Sequence, residues 1–261
     1  MKNMNKLLGV LCGLCASANL LYAQDAAAIV DAARNRIKAD TISTRSRMVI
    51  TAKDGSTSER RIDQYSKDDA QGNNRTMIVF QAPASVAGTR FLTIEKSGGA
   101  DDRWIFLPSL GKVRRIAASE GSGSFMGTDL SYDDVSSASR DVKLDTHKLL
   151  REETFEGAAC QVIESIPKDA SYQYSKMIQW IDKANRVTRK MELYNQRGAL
   201  VKVLEMKALK DVQGRLTPHE TKMTSVVAGT STSIFVEIIK YDDNIPDAVF
   251  TTQYLETGRA R

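Results

Sequence analysis

Short apolar runs separated by turn residues occupy most of the chain after residue 40. Residues 48–50 lead into Asp54-Gly55, a pair that favours a tight hairpin turn, and residues 59–65 can form the returning strand. Similar runs recur at fairly regular spacing up to Tyr241. Strands and helices do not alternate along the chain, which argues against a parallel βαβ sheet. The pattern therefore predicts a mainly β fold with one strongly curled antiparallel sheet of about ten or eleven strands.

A helical repeat precedes these strands. Asp25 can cap a helix that continues to about Ala39. Its apolar stripe consists of Ile29, Val30, Ala33 and Ile37. A short helical turn near residues 129–137 is the other helix that the sequence predicts.

The first 23 residues have the arrangement of a secretory signal peptide. Lys2 and Lys6 provide the positive start, residues 7–18 the apolar run, and Ala23 a small residue before the predicted cleavage site. The apolar run is too short to span a bilayer. We therefore expect an exported protein in which residues 24–261 form a single domain. A buried N-terminal helix is the alternative interpretation.

Two of the three cysteines lie in this first segment. Lipid attachment at Cys12 or Cys15 would give an outer-membrane-associated lipoprotein, but leucine rather than a small residue precedes each cysteine. Removal of the signal peptide would leave Cys160, which has no partner for an internal disulfide. We predict that Cys160 is a buried and unreactive thiol on a strand.

Composition narrows the possible functions. The chain is 42% hydrophobic and 26% charged, and 37 Lys and Arg against 32 Asp and Glu leave a net charge of +5 spread along the sequence. This distribution does not form the basic stripe of a nucleic-acid-binding protein. Two histidines, His147 and His219, give neither a metal-binding motif nor a recognisable nucleophile motif. The sequence therefore predicts no cofactor, no metal and no enzymatic activity.

Several predicted strands carry apolar side chains in both phases. Residues 76–80, 104–107, 200–204 and 234–239 are the clearest examples. An antiparallel sheet with one solvated face should instead alternate apolar and polar residues. Both faces must therefore be covered. One hypothesis is a concave apolar face that binds a hydrophobic ligand; the alternative is that loops or a partner protein cover the second face.

The most distinctive residues lie between positions 83 and 135. The segment contains Trp104-Ile105-Phe106-Leu107-Pro108, then Lys112-Val113-Arg114-Arg115-Ile116, then Phe125-Met126-Gly127-Thr128-Asp129-Leu130-Ser131-Tyr132-Asp133-Asp134. This order of motifs resembles the outer-membrane lipoprotein-sorting proteins related to the LolA carrier. Residues 180–182, 218–223 and 245–251 also fit the pattern, so the resemblance extends over most of the chain.

The resemblance implies an incomplete β-barrel around an apolar cavity, with helices or loops as a lid. It further implies a monomeric periplasmic carrier that binds a lipid or lipoprotein acyl chain. Such a carrier would receive its cargo from an inner-membrane transporter and deliver it to an outer-membrane acceptor. The alternative is an accessory subunit of an envelope transporter of hydrophobic molecules.

Apolar side chains of the predicted strands and of the 121–127 segment are the candidates for lining the cavity. They are Met77, Val79, Leu92, Ile94, Trp104, Phe106, Phe125, Met126, Ile178, Trp180, Leu204, Met206, Met223, Ile234, Val236 and Ile238. Each could instead belong to the core, because an error of one residue in phase moves a whole strand to the other face. Arg114 and Arg115 are candidates for contact with a head group or a partner, with a solvated strand edge as the alternative.

Two further motifs have a structural interpretation. The glycine-rich residues 121–127 lack the strand and helix context of a phosphate-binding loop, and we expect a flexible loop beside the cavity mouth. Asp101, Asp102, Asp129, Asp133 and Asp134 lack the spacing of a cation-binding loop. We expect them to act as caps and turn residues.

Overall fold

A computed structural model describes residues 26–96, 99, 101–136 and 140–260 of the protein. The predicted signal peptide, with Cys12 and Cys15, and the predicted helix cap Asp25 lie outside the described residues. The helices are α1 (26–34), α2 (Tyr132–Ser136) and α3 (Thr252–Thr257). The strands are β1 (Thr41–Thr51), β2 (Thr57–Asp68), β3 (Asn74–Ala82), β4 (Arg90–Ile94), β5 (Asp102–Leu107), β6 (Lys112–Ile116), β7 (Asp145–Phe155), β8 (Ala158–Pro167), β9 (Lys176–Asp182), β10 (Thr188–Tyr194), β11 (Leu200–Val212), β12 (Arg215–Ser225) and β13 (Thr230–Tyr241).

All thirteen strands form one antiparallel sheet in the order β6-β5-β4-β3-β2-β1-β13-β12-β11-β10-β9-β8-β7. The sheet is curled and does not close, so β6 and β7 are its two edges. The predicted mainly β fold with a single curled sheet is confirmed. The expected ten or eleven strands were too few, because each short apolar run forms a strand of its own. The Asp54-Gly55 hairpin joins β1 to β2 as predicted, and Gly55 has a φ of 84°.

Helix α1 packs against the strands near one edge of the sheet. Its apolar side chains contact Leu149, Ile163 and Ile181. The helix ends at residue 34 rather than near Ala39. Beyond it, the Arg36 Nη1 donates to the Leu216 carbonyl oxygen at 2.6 Å, and the chain reaches β1 through a turn and bends.

The sheet curls around residues 121–136, which we call the inner segment. Arg103 on β5 bonds Asp133 of this segment, and Lys202 on β11 bonds Asp134. Six strands lie between β5 and β11 in the sheet, so both contacts require strong curvature. We call the face that contacts α1 and the inner segment the inner face. Phe125 of the inner segment is 1% exposed and packs there in a cluster with Met48, Ile62, Ile78, Phe80, Phe91, Ile105 and Ile116.

The outer face of β3 to β6 is covered by the C-terminal part of the chain. Ile245, Val249, Phe250 and Leu255 pack there on the sheet. Their contacts are Met77 and Leu92, which are fully buried, and Tyr65, Val79, Ile94, Trp104, Phe106 and Val113. The strands β3, β4 and β5 therefore carry apolar side chains in both phases, because different parts of the chain cover their two faces.

Cys160 lies on β8 in a smaller outer cluster with Val162 and Trp180. Its side chain is fully buried, and burial raises the pKa of the thiol. This arrangement agrees with the predicted buried thiol on a strand.

We expect Cys160 to react far more slowly with a thiol reagent in the folded protein than in denaturant, because the reactive species is the exposed thiolate. Mass spectrometry of the labelled peptide would measure the rate. A cysteine introduced by Ser58→Cys, at an exposed position on β2, is the control and should react quickly. Equal rates at the two positions would contradict the burial of Cys160.

Candidate functional site

The predicted cavity residues divide between the two faces of the sheet. Five of them lie on the inner face, on β11 to β13: Leu204, Met206, Met223, Ile234 and Val236. Phe125 and Met126 belong to the inner segment, which packs against that face. The structure therefore brings these seven residues to one side of the sheet.

The other nine lie on the outer face. Six are covered by the C-terminal part of the chain: Met77, Val79, Leu92, Ile94, Trp104 and Phe106. Ile178 and Trp180 belong to the outer cluster around Cys160. Ile238 is 51% exposed, because a bulge at Glu237 in β13 pairs it with the outward-facing Arg45 while Val236 stays opposite Ser46. On β3, β4, β5 and β9, the side chains that point inward are therefore the neighbours of the predicted cavity residues, not those residues themselves.

The middle of the inner face is apolar and partly accessible. Strand pairing places Met206 opposite Thr221, Thr221 opposite Ile234, and Ile234 opposite Met48. We define the central wall as six partly buried side chains on β10 to β13: Met191, Leu204, Met206, Thr221, Ile234 and Val236. Two of the six are methionines, whose flexible thioethers adapt to irregular apolar ligands. This wall can therefore contact a hydrocarbon chain without a fixed shape.

Buried polar contacts hold the inner segment against the sheet. The Asp134 Oδ2 accepts bonds from the Lys202 Nζ at 2.7 Å and the Ser131 backbone N at 2.8 Å, and its Oδ1 accepts from the Tyr174 hydroxyl at 2.8 Å. The Ser131 Oγ in turn accepts from the Asp134 backbone N at 3.0 Å. Burial, followed by the neighbouring Asp134, raises the pKa of Tyr174. Ser131 and Asp134 thus form a reciprocal cap at the start of α2.

Two more aspartates fix the same segment. The Arg103 Nη1 donates to the Asp133 Oδ1 at 2.6 Å, and the Thr232 hydroxyl donates to the Asp129 Oδ2 at 2.7 Å. Gly121 is required beside Asp133, because a Cβ at that position would lie 2.3 Å from the Asp133 Oδ1. Asp134 acts as a cap, as expected, whereas Asp129 and Asp133 bond side chains of distant strands instead. The expectation of a flexible loop is wrong, because Phe125 is buried and the segment is bonded to strands on both sides.

The two basic candidates at the edge of the sheet are paired with acids. The Arg114 Nη1 donates to the Glu120 Oε1 at 2.6 Å, and Arg115 bonds Asp102. Their side chains remain 51% and 66% exposed. Strand pairing places Arg114 on the inner face and Arg115 on the outer face, so the two side chains do not converge on one ligand.

Sequence reasoning missed a buried serine beside one histidine. The His147 Nδ1 lies 2.8 Å from the Ser165 Oγ, and its Nε2 lies 2.9 Å from the Val142 carbonyl oxygen. Pairing of β7 with β8 brings these residues together, which no short motif could show. Ser165 is 0% exposed, so a substrate cannot reach its hydroxyl in this conformation. His219 lies elsewhere, with its Nδ1 3.1 Å from the Thr217 carbonyl oxygen.

A cavity of about 510 Å³ lies at the end of the sheet where β1 and β2 meet the residues after β13. It is lined mainly by polar and acidic residues, including Asp40, Asp68, Asp69, Asp242 and Asp243. A hydrocarbon chain would find little apolar surface there. The central wall is therefore the candidate site for an apolar ligand.

Neither a metal-binding cluster nor a membrane-spanning helix occurs among the described residues. Within the described ranges, no group of three or more His, Cys, Asp or Glu side chains is arranged to hold a metal ion. Among the helices that the structure describes, none is long and apolar enough to cross a membrane.

Comparison with known proteins shows which family the chain belongs to. A family model described as that of an uncharacterized protein matches residues 72–257. A solved DUF1329 family protein from Desulfovibrio piger is 28% identical, with a TM-score of 0.85, over 90% of this chain and 99% of that protein. A domain from Vibrio parahaemolyticus described as an outer membrane lipoprotein-sorting protein matches with the same identity, coverage and TM-score.

A LolA superfamily protein from Nitrosomonas europaea shares the fold, with 22% identity and a TM-score of 0.69 over 88% of this chain and 98% of that protein. No curated protein matches the chain. The family resemblance predicted from the motifs between residues 83 and 135 agrees with these structural matches. The chain therefore belongs to the DUF1329 family, and it has a LolA-like fold.

Proposed function

We propose that this protein is a periplasmic carrier that binds the acyl chain of a lipid or lipoprotein on the central wall and moves it between the envelope membranes. The observation that supports this proposal most directly is the partly buried apolar surface of Met206, Ile234 and Val236 inside a curled, open sheet. Binding and release of a chain require no covalent step, so the proposed function is not enzymatic.

The energy of transfer sets the requirements for such a site. Each buried CH₂ group contributes about 0.8 kcal/mol, so a long chain gains on the order of 10 kcal/mol. Leaving a membrane costs a similar amount, and a carrier must therefore bind its cargo without holding it too tightly. A wall of methionine and aliphatic side chains, interrupted by Thr221, suits that balance.

The rest of the proposal concerns location and partners. Residues 1–23 would direct export and be removed, and residues 24–261 would form a single carrier domain in the periplasm. A monomer would receive cargo from an inner-membrane transporter and pass it to an outer-membrane acceptor. Similarity to the lipoprotein-sorting domain from Vibrio parahaemolyticus supports this assignment.

Native mass spectrometry of gently purified protein tests the function directly. We expect copurified lipid or an acylated peptide bound at one per protein. An empty protein that binds tightly to an envelope transporter would support the alternative role as an accessory subunit and would contradict the carrier proposal.

Replacing Met206 with glutamate should remove most of the bound lipid, because an unpaired carboxylate on the wall opposes burial of a hydrocarbon chain. The control is Val203→Glu on the same strand, where strand pairing places the side chain on the outer face beside Glu192. The measurement is the ratio of lipid-bound to lipid-free protein in the native mass spectrum. Equal loss of lipid in both variants, or in neither, would contradict the assignment of the wall.

A further inference from the structure

Arg60 is a charged residue on the inner face of the sheet. It lies on β2 opposite Met48, and its side chain is partly buried. Its guanidinium carbon lies 5.8 Å from the centre of the Phe80 ring, and its Nη1 donates to the Met126 carbonyl oxygen at 2.6 Å. The guanidinium therefore lies between the sheet and the inner segment.

No carboxylate oxygen of the described residues lies within 4.0 Å of the Arg60 guanidinium. Arg103 and Lys202 also face inward from strands, and each bonds an aspartate at 2.6 or 2.7 Å. Buried cations are normally paired in this way, because removing a charge from water is costly. Burial lowers the pKa of Arg60, in agreement with the missing counter-charge.

Most of the donors of Arg60 make no hydrogen bond to the described residues. A guanidinium has five N–H groups, and the contact with Met126 uses one of them. The Arg60 Nη2 faces Gly127, which is exposed, and even a Cβ added to Gly127 would lie 3.9 Å from this nitrogen. An oxygen atom of a ligand could therefore approach from this side.

Arg60 also lies in the same row of the sheet as the central wall. The row continues through Met48, Ile234 and Thr221 to Met206, and each residue is opposite the next. With strands about 4.8 Å apart, the row measures about 19 Å along the sheet. Met48 itself is 1% exposed, so an amphiphile with its charged end at Arg60 would pass over it and contact the row again at Ile234 and along the wall.

We propose that Arg60 binds the anionic phosphate or carboxylate group of an amphiphile whose hydrocarbon chain lies on the central wall. This inference rests on the proposed carrier function and adds a preference for acidic amphiphiles over neutral ones of the same chain length. A planar guanidinium matches the geometry of both anions, because it can donate two parallel hydrogen bonds.

Calorimetric titration with dodecanoate and with dodecan-1-ol tests the preference, since the two ligands share a chain and differ in charge. We expect dodecanoate to bind about tenfold more tightly or better, the usual effect of a charge-assisted hydrogen bond. Arg60→Gln should reduce the affinity for dodecanoate to that for dodecan-1-ol. Arg61→Gln, at the adjacent exposed arginine on the outer face, is the matched control and should change neither affinity.

Further measurements separate the possible outcomes. Equal affinities for the two ligands in the natural protein, or an unchanged preference in Arg60→Gln, would overturn the role of Arg60 but leave the carrier function intact. Failure of both ligands to bind would overturn both proposals. Inorganic phosphate that binds as tightly as dodecanoate in an Arg60-dependent manner would indicate a site for free anions and would overturn the amphiphile assignment.

Thermal unfolding provides a readout that distinguishes binding from support of the fold. Because Arg60→Gln removes a partly buried charge without a counter-ion, we expect its Tm to equal or exceed that of the natural protein. A Tm well below the natural value, with ligand affinities reduced in parallel for both ligands, would show that Arg60 is structural and overturn the proposal.

Discussion

Phe125→Ala is expected to lower the free energy of unfolding by about 3–5 kcal/mol, the usual cost of deleting a fully buried phenylalanine. The centre of the Phe125 ring lies 5.1 Å from the ring centre of Phe91, 5.7 Å from that of Tyr132 and 5.8 Å from that of Phe80. Its removal leaves a cavity between the inner segment and the sheet, and polar anchors at both sides limit how far the segment can move to fill it. Urea unfolding followed by circular dichroism would measure the change.

Leu110→Ala is the control for this prediction. Leu110 lies in the turn between β5 and β6 and is 64% exposed, so its truncation should change stability by less than about 0.5 kcal/mol. A small effect of Phe125→Ala, similar to that of the control, would show that the inner segment does not pack in the curled sheet.

Local patterns were sufficient to predict the strands but not the face that each side chain occupies. The Asp54-Gly55 pair and the regular turns indicate where strands begin and end. Judged from the local sequence, Leu92 and Trp104 suit an inner wall, because nothing near them shows that they lie on the outer face beneath Val249 and Leu255. That cover comes from about 150 residues further along the chain, and its position depends on the tertiary fold.

Side chains alternate between the two faces along a strand, so assigning one residue to a face also assigns the others on that strand. On β4, Phe91 faces inward and Leu92 outward, so a choice between two apolar neighbours assigns the whole strand. On β11 the residue between Leu204 and Met206 is the charged Glu205, which faces outward. The sequence therefore assigns Leu204 and Met206 to the inner face. The phase of a strand can be predicted where one face is polar, and it cannot where both faces are covered.

For the polar residues of the inner segment, too, the sequence predicts a local role but not the long-range contacts. Its aspartates were expected to act as caps, and Asp134 does form a cap with Ser131. Their bonds to Arg103 and Lys202 depend on strands that curvature brings together from opposite parts of the sheet. The sequence shows complementary charges but not which pairs meet.

Asp134→Asn should destabilise the protein by about 3 kcal/mol or more, although the side chain keeps its size. The Asp134 side chain is 4% exposed and the Lys202 side chain 18%, so loss of the carboxylate charge leaves a largely buried ammonium group without its counter-charge. The Tyr174 hydroxyl also loses a charged acceptor at 2.8 Å. Chemical unfolding would measure the loss, with Glu152→Gln as the control, because the ion pair of Glu152 with Lys183 is about half exposed and should contribute little.

A double-mutant cycle separates the cost of an unpaired charge from the value of the ion pair itself. Asp134→Leu and Lys202→Met should each be strongly destabilising, while the double variant should lose less than the sum of the two, because no uncompensated charge remains. This non-additivity follows from the 2.7 Å contact between the Lys202 Nζ and the Asp134 Oδ2. Additive losses would show that the two groups do not interact, and the inner segment would then have to be held by its other contacts, which include those of Phe125, Asp129 and Asp133.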